Sequence, residues 1–278
     1  LNYWILIRSG EVLALDEYLD GPSWTGETTW RESFLPGSLD RYTQDGKTYG
    51  IPLQYAVHAV WYNKNLFEEH GWEKPQTWDE FYALCEQIRA QDIWPLAFQG
   101  RYPNYSQGLT DNAYYHLVGR ERFYEQKFLE PGSFDNPEFV QALTLVQQTG
   151  ARYFQPGYAG MSHTEAQMEF FLGHTAMILC GSWLKSEMQG KIPDGFRLGT
   201  FALPITAAGQ ADPNAVYTSA GYFFVLEGSR HPEQGVDFLR FMTSTPMAGD
   251  FARMRDIVVA TRGAMEGNLT EDMHELMR

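Results

Sequence analysis

The chain is expected to fold as an α/β protein, with strands and helices alternating in packed layers. Strand-like apolar runs, such as those at 47–63 and 175–180, recur between segments whose apolar residues fall at helical spacing. Helix-start signals stand at several junctions: Thr77 and Glu80 have capping-box spacing, and Asn136 is followed by Pro137. The 278 residues are 44% hydrophobic and 20% charged, which is enough for a full core in one large domain or two.

Taken in order, residues 3–7 read as a strand, and 11–19 as a short helix or ordered loop. Residues 28–35 read as a helix stopped by Pro36-Gly37. From 47 to 63 the chain is extended, entered by a turn at Asp45-Gly46 and interrupted by Pro52. Asn63-Lys64 open a short helix over 65–70, which Gly71 closes because glycine tolerates the left-handed geometry of a helix end. In the helix at 78–92, Phe81, Leu84, Cys85 and Ile88 share one face. A strand at 94–99 follows, then helices at 106–119 and 121–129. The helix from Asn136-Pro137 sets Phe139, Val140, Leu143 and Val146 on one side. Thr164 caps a helix that ends at Gly173, before the strand at 175–180. Residues 183–188 are helical and closed by Gly190. Strands at 196–203 and 217–226 flank a polar Gly/Pro/Asn loop at 207–214, and helices at 232–243 and 247–254 follow. There is no internal repeat or low-complexity tract.

A net charge of −14 repels phosphate backbones and anionic membrane surfaces, so nucleic acid is not an expected partner. Aromatic residues make up 15% of the chain, with 8 Trp and 16 Tyr, more than a core alone demands. Spare Tyr and Trp suit ligands with apolar faces and polar edges, although most of these rings serve as core. Cys85 and Cys180 read as buried free thiols, with a disulfide as the other possibility. No segment is long and apolar enough to cross a bilayer as a helix.

Signals for chemistry are poor. The 7 histidines show no metal-ligand spacing, and the nucleophile elbow GxSxG, the phosphate loop and GxGxxG are all missing. The adjacent acids Glu68-Glu69 and Asp79-Glu80 read as solvated or capping groups. A glycosidase needs two carboxylates facing each other across a cleft, and nothing marks such a pair. The expectation is therefore a protein with no catalytic residue, metal or cofactor.

In order, GKTYGIP, WYNKNLFEEHGW, PQTWDEF, MEFFLGHTAMILCGSW and GYFFVLEGSRHPEQGVDFLRFMTS resemble blocks of the extracellular solute-binding proteins of bacterial ABC importers. The resemblance is to the carbohydrate-binding family that includes maltose-binding protein. It implies a two-lobe periplasmic-binding-protein-like fold with a hinge and an inter-lobe ligand cleft. Lobe one would take 1–62 and return over 216–258, lobe two would take 63–215, and 259–278 would cross back toward lobe two. By the same comparison the chain is expected to be truncated at both ends, with any signal or lipoprotein cysteine lying ahead of Leu1. The implied setting is periplasmic or extracellular, with lipid anchoring left open. The implied partners are a carbohydrate and the membrane permease subunits of an importer, with the protein itself a monomer.

Trp183, in Gly181-Ser182-Trp183, is the first candidate for ligand contact. Its indole offers a flat surface matching the C–H face of a pyranose, and small neighbours let a ligand approach; the competing reading is a core tryptophan that begins a helix. Tyr55 and His58 lie in the extended run near a lobe crossing and can supply a stacking face and polar atoms for sugar hydroxyls. Asn104 and Tyr105 are expected in a loop after a strand, at a position that often faces the cleft in the family. Ser219, Gly221 and Tyr222 fall in the block where the chain re-enters lobe one. The expected ligand is a neutral mono- or oligosaccharide bound by hinge closure. The alternatives are a carbohydrate-active enzyme such as a glycoside hydrolase, or a same-fold binder of polyamine or another cationic solute.

Overall fold

A computed structural model describes residues 3–102, 104–206, 209–212, 215–270 and 273. At its start the expected strand is instead helix α1 (Tyr3–Arg8). The apolar run there is too short for periodicity to separate helix from strand, and burial falls on Ile7 while Ile5 is 64% exposed. A single turn, α2 (Asp16–Leu19), follows. The helix expected at 28–35 shrinks to a 3-10 turn, Arg31–Ser33, because Phe34 turns extended and bridges to Thr261. The Glu32 carboxylate also turns back to accept from the Thr29 N–H and hydroxyl. β1 (Thr43–Gln44) and β2 (Lys47–Thr48) form a hairpin through Asp45-Gly46, both at positive φ as a type I′ turn requires.

Strand β3 (Ile51–Asn63) ends where the Asn63 side chain accepts from the N–H groups of Asn65 and Leu66, starting α3 (Lys64–His70). Gly71, at φ 67°, closes it. The capping box of Thr77 and Glu80 forms and starts α4 (Trp78–Arg89), whose expected face of Phe81, Leu84, Cys85 and Ile88 is buried. After β4 (Trp94–Ala97) comes α5 (Asn104–Lys127). The two helices expected there are its halves, broken at Gly119, where φ is 77° and ψ 178°.

α6 (Pro137–Tyr153) starts on Asn136 as expected, and Phe139 and Val146 of its expected face pack against the core, but the other two residues of that face do not. Val140 is 60% and Leu143 46% exposed, while Ala142, Thr149 and Tyr153 are buried. The Tyr82 hydroxyl donates to the Leu145 carbonyl, which fixes this side of α6 against α4. α7 (His163–Phe171) is capped by Ser162 rather than Thr164, in a box with Glu165. The remaining elements are β5 (Thr175–Gly181), α8 (Leu184–Glu187), β6 (Leu198–Phe201), β7 (Thr218–Phe223), α9 (Pro232–Met242), α10 (Thr245–Arg255) and β8 (Val258–Val259). Of the polar loop expected at 207–214, residues 207, 208, 213 and 214 lie outside the described residues.

The chain divides into two compact units, one of Leu1–Ala56 with Thr218–Met273, the other centred on Val57–Tyr217. In the first, β8 pairs antiparallel with the early part of β3 through Gln54↔Val259 and Tyr55↔Val258. Its core gathers Leu15, Leu19, Trp30, Phe34, Ile51 and Val236. In the second, the sheet order is β4-β5-β3-β6. β5 and β6 run antiparallel to β3, and β4 runs parallel to β5. Every residue of β5 is buried, so both faces of this strand are covered. Cys85 and Cys180 are both buried free thiols, and burial pushes each well above the ordinary thiol range.

Candidate functional site

The β3–β5 ladder ends at the pair His58↔Gly181, and a group of aromatic rings collects at this end. Just past Gly181, the Ser182 N–H donates to the Val57 carbonyl at 2.9 Å, turning the chain. The six-membered ring of Trp183 then folds back over Gly181, in the space that a β-carbon there would need. Glycine is therefore required by close approach at this position. Trp183 packs against the core of the unit yet stays partly exposed.

His58 sits edge-on to Trp183, with ring centroids 5.1 Å apart and planes at 87°. It also meets the ring of Tyr217 at 4.9 Å, and the backbone N–H of His58 donates to the Tyr217 carbonyl at 2.9 Å. Tyr217 in turn lies over Gly108 of α5, where an added β-carbon would come 3.3 Å from its Cε1. Tyr105 is hydrogen-bonded with Trp183, its hydroxyl and His163 Nδ1 are 2.8 Å apart, and His163 stacks on Tyr102 at 3.8 Å with planes 11° apart. Elements far apart in sequence thus present Trp, Tyr and His rings within one unit.

Desolvation lowers the His58 pKa to about 4, so at neutral pH its imidazole is uncharged, with one donor and one acceptor nitrogen. Burial pushes the Tyr105 phenol far above its ordinary value, against the opposing pull of a hydrogen bond with Trp183. The Ser182 hydroxyl is buried and has no partner among the described residues. Among the described residues, no group of three or more His, Cys, Asp or Glu is placed to hold a metal ion. What the site offers is flat apolar surface with neutral polar edges, suited to a neutral ligand that has C–H faces and hydroxyls.

Of the residues singled out in the sequence, Trp183, His58 and Tyr105 belong to this ring group. Asn104 and Tyr105 are not in a loop, because α5 starts at Asn104. The turn hydrogen bonds Tyr102 N–H to Gln99 O and Tyr105 N–H to Tyr102 O lead straight into that helix. Asn104 is exposed there, while Tyr105 is buried in the core.

The other candidates lie in the first unit and do not share one cluster. Tyr55 is half-buried beside the core of Leu15 and Leu19, and its hydroxyl donates to the Ser38 carbonyl at 3.3 Å. Tyr222 packs with Tyr42, ring centroids 5.2 Å apart, in a separate cluster with Ile7 and Val12. Ser219 is half-buried on β7, and a β-carbon at Gly221 would come 2.9 Å from Gln54 Cγ, so β7 needs a glycine to lie this close to β3. The sequence reading missed Tyr102, His163 and Tyr217. Ser162 and Glu165 carry a capping-box signal that places His163 at a helix start, but no local pattern marks Tyr102 or Tyr217.

The model of the bacterial extracellular solute-binding protein family matches residues 2–248. The chain belongs to this family. Among curated relatives, the multiple sugar-binding protein of Streptococcus mutans is 27% identical over 241 residues, covering 82% of this chain and 54% of its own length. The diacetylchitobiose binding protein NgcE of Streptomyces coelicolor is 25% identical over 256 residues, covering 90% and 54%. The chain thus spans about half the length of these two solute-binding relatives. A structure solved in a study of xylan utilization by the thermophilic bacterium Caldanaerobius polysaccharolyticus superposes with a TM-score of 0.84 at 21% identity. That match covers 99% of this chain and 69% of the other. The α/β fold expected from the sequence is therefore that of solute-binding proteins.

Proposed function

We propose that this solute-binding protein is the sugar-capturing component of a bacterial ABC importer, and that its ligand is a neutral mono- or oligosaccharide. The observation that carries the reading is the partly exposed Trp183 ring backed by Gly181 and flanked by the uncharged His58 and by Tyr217. An indole face of this kind stacks on the C–H face of a pyranose, and neutral polar edges serve its hydroxyls without needing a charged ligand. Relatives named for sugar and diacetylchitobiose binding support the same ligand class. Tyr55, Asn104, Ser219, Gly221 and Tyr222 remain proposed contacts.

Binding shifts a conformational equilibrium in this reading, with the chain crossings at Ala56–Val57 and Tyr217–Thr218 acting as the hinge. The bound form docks as a monomer on membrane permease subunits. The family is extracellular by description, and a periplasmic or membrane-anchored setting follows from the importer role. A thermal-shift screen against a panel of neutral saccharides tests the ligand class. A true ligand at 100 times its dissociation constant adds about 2.7 kcal/mol to stability. A panel with no stabilising sugar, alongside stabilisation by a polyamine, would replace the sugar with a cationic solute.

A further inference from the structure

Residues 23–33 and the turn from α9 into α10 enclose a pocket of about 140 Å³, all within the first unit. Its lining includes Trp24, Trp30, Arg240, Ser244, Thr245 and Arg262. The walls are fixed by buried hydrogen bonds, from Trp30 Nε1 to Thr243 Oγ1 at 2.8 Å and from Thr261 Oγ1 to the Thr243 carbonyl at 3.0 Å. A cavity of about 150 Å³ admits a molecule the size of benzene, so this one has room for a small polyatomic ion.

The first turn of α10 opens on the pocket. A helix start leaves its first N–H groups without intrahelical partners and carries partial positive charge, so it favours anions. In the eleven residues of α10, Pro246 removes one of these donors, and the N–H groups of Thr245 and Met247 remain. The preceding residue, Ser244, stands at the capping position and is only 8% exposed, yet its hydroxyl makes no capping hydrogen bond and has no partner among the described residues. A serine at this position normally accepts from the helix N–H groups. Here it lines the pocket instead. Arg240 also lines the pocket, and its Nη1 pairs with Asp237 at 2.9 Å.

We propose that this pocket binds a small tetrahedral oxyanion, phosphate or sulfate, held by Ser244 Oγ and the first-turn N–H groups of α10, with the Arg240 and Arg262 side chains in the lining supplying positive charge. Glu27 and Glu32 also line the pocket and oppose an anion. The Glu32 carboxylate, however, accepts from the Thr29 N–H and hydroxyl, and Arg262 stands near enough to stabilise its charge. Arg240 and Arg262 in the lining attract an anion at short range against the long-range repulsion of the protein's net charge of −14, and other anions at high salt compete for the same place.

The test is calorimetric titration of the protein with inorganic phosphate at low ionic strength, with sulfate as competitor. Saturable binding at one site, displaced by sulfate, is expected. Loss of the Ser244 hydroxyl in Ser244→Ala should weaken it by roughly tenfold, as for a hydrogen bond to a charged group. Ser244→Asp places a favoured capping carboxylate at the same point, so the fold is kept while the anion is repelled and binding should vanish. Absence of saturable phosphate binding in the parent protein would overturn the proposal, as would unchanged affinity in Ser244→Asp.

Discussion

The ring of Trp183 fills the space above Gly181, so the identity of one residue sets the position of the other. Any side chain at 181 displaces the indole from the end of the β3–β5 ladder. Gly181→Ala is expected to cost ~1–3 kcal/mol of folding stability through overpacking. It should also weaken sugar binding, because the ring leaves its place beside His58. Denaturant unfolding and a saccharide titration of the variant check both effects. An alanine tolerated without loss of either would mean that the ring does not depend on this contact.

His58 makes stability depend on pH. Its folded pKa of about 4 lies below the unfolded value near 6.5, so the unfolded chain binds more protons between those limits. Stability from this group is fully present above pH 6.5, falls as the pH drops toward 4, and is level below that. At about 1.4 kcal/mol per unit the loss is roughly 2–4 kcal/mol. His116, also lowered by burial, acts in the same direction. Denaturation midpoints at pH 7 and pH 4.5 should therefore fall less in His58→Gln than in the parent protein. An equal fall in the two would remove His58 from this account.

Much of the local fold was legible because its signals are local. Asn63, Thr77 and Asn136 cap the helices their side chains suggested, and Asp45-Gly46 makes the turn. The misreadings occurred where tertiary contacts decide. Residues 3–7 present an apolar run that fits either periodicity, and 28–35 lose their helix to the pairing of Phe34 with Thr261. On α6, packing against α4 selects Ala142 and Thr149 over the larger Val140 and Leu143. Trp183 and His58 were visible through the family blocks around them. Tyr102, His163 and Tyr217 join the ring group only through the fold, since no spacing links residues so far apart in sequence.

The two thiols give a simple chemical check. Cys85 on α4 and Cys180 on β5 are buried and unpaired. Native protein should react slowly with a thiol reagent, and denatured, unreduced protein should release both thiols at once. A denatured sample with no reactive thiol would establish a disulfide and contradict the buried free pair.

The central claim is that Trp183 is a platform for a sugar, and Trp183→Ala tests it most directly. The ring is partly exposed, so its removal should cost less stability than the ~3–5 kcal/mol of a fully buried tryptophan. Its loss should instead appear in affinity: stacking of this kind contributes about 1–3 kcal/mol by analogy with base–aromatic contacts, a weakening of roughly ten- to a hundredfold. The measurement is a calorimetric titration of folded Trp183→Ala with the saccharide that stabilises the parent protein. A ten- to hundredfold rise in dissociation constant is the predicted result. An unchanged dissociation constant, with the denaturation midpoint sharply lowered, would make Trp183 a core residue and contradict the claim.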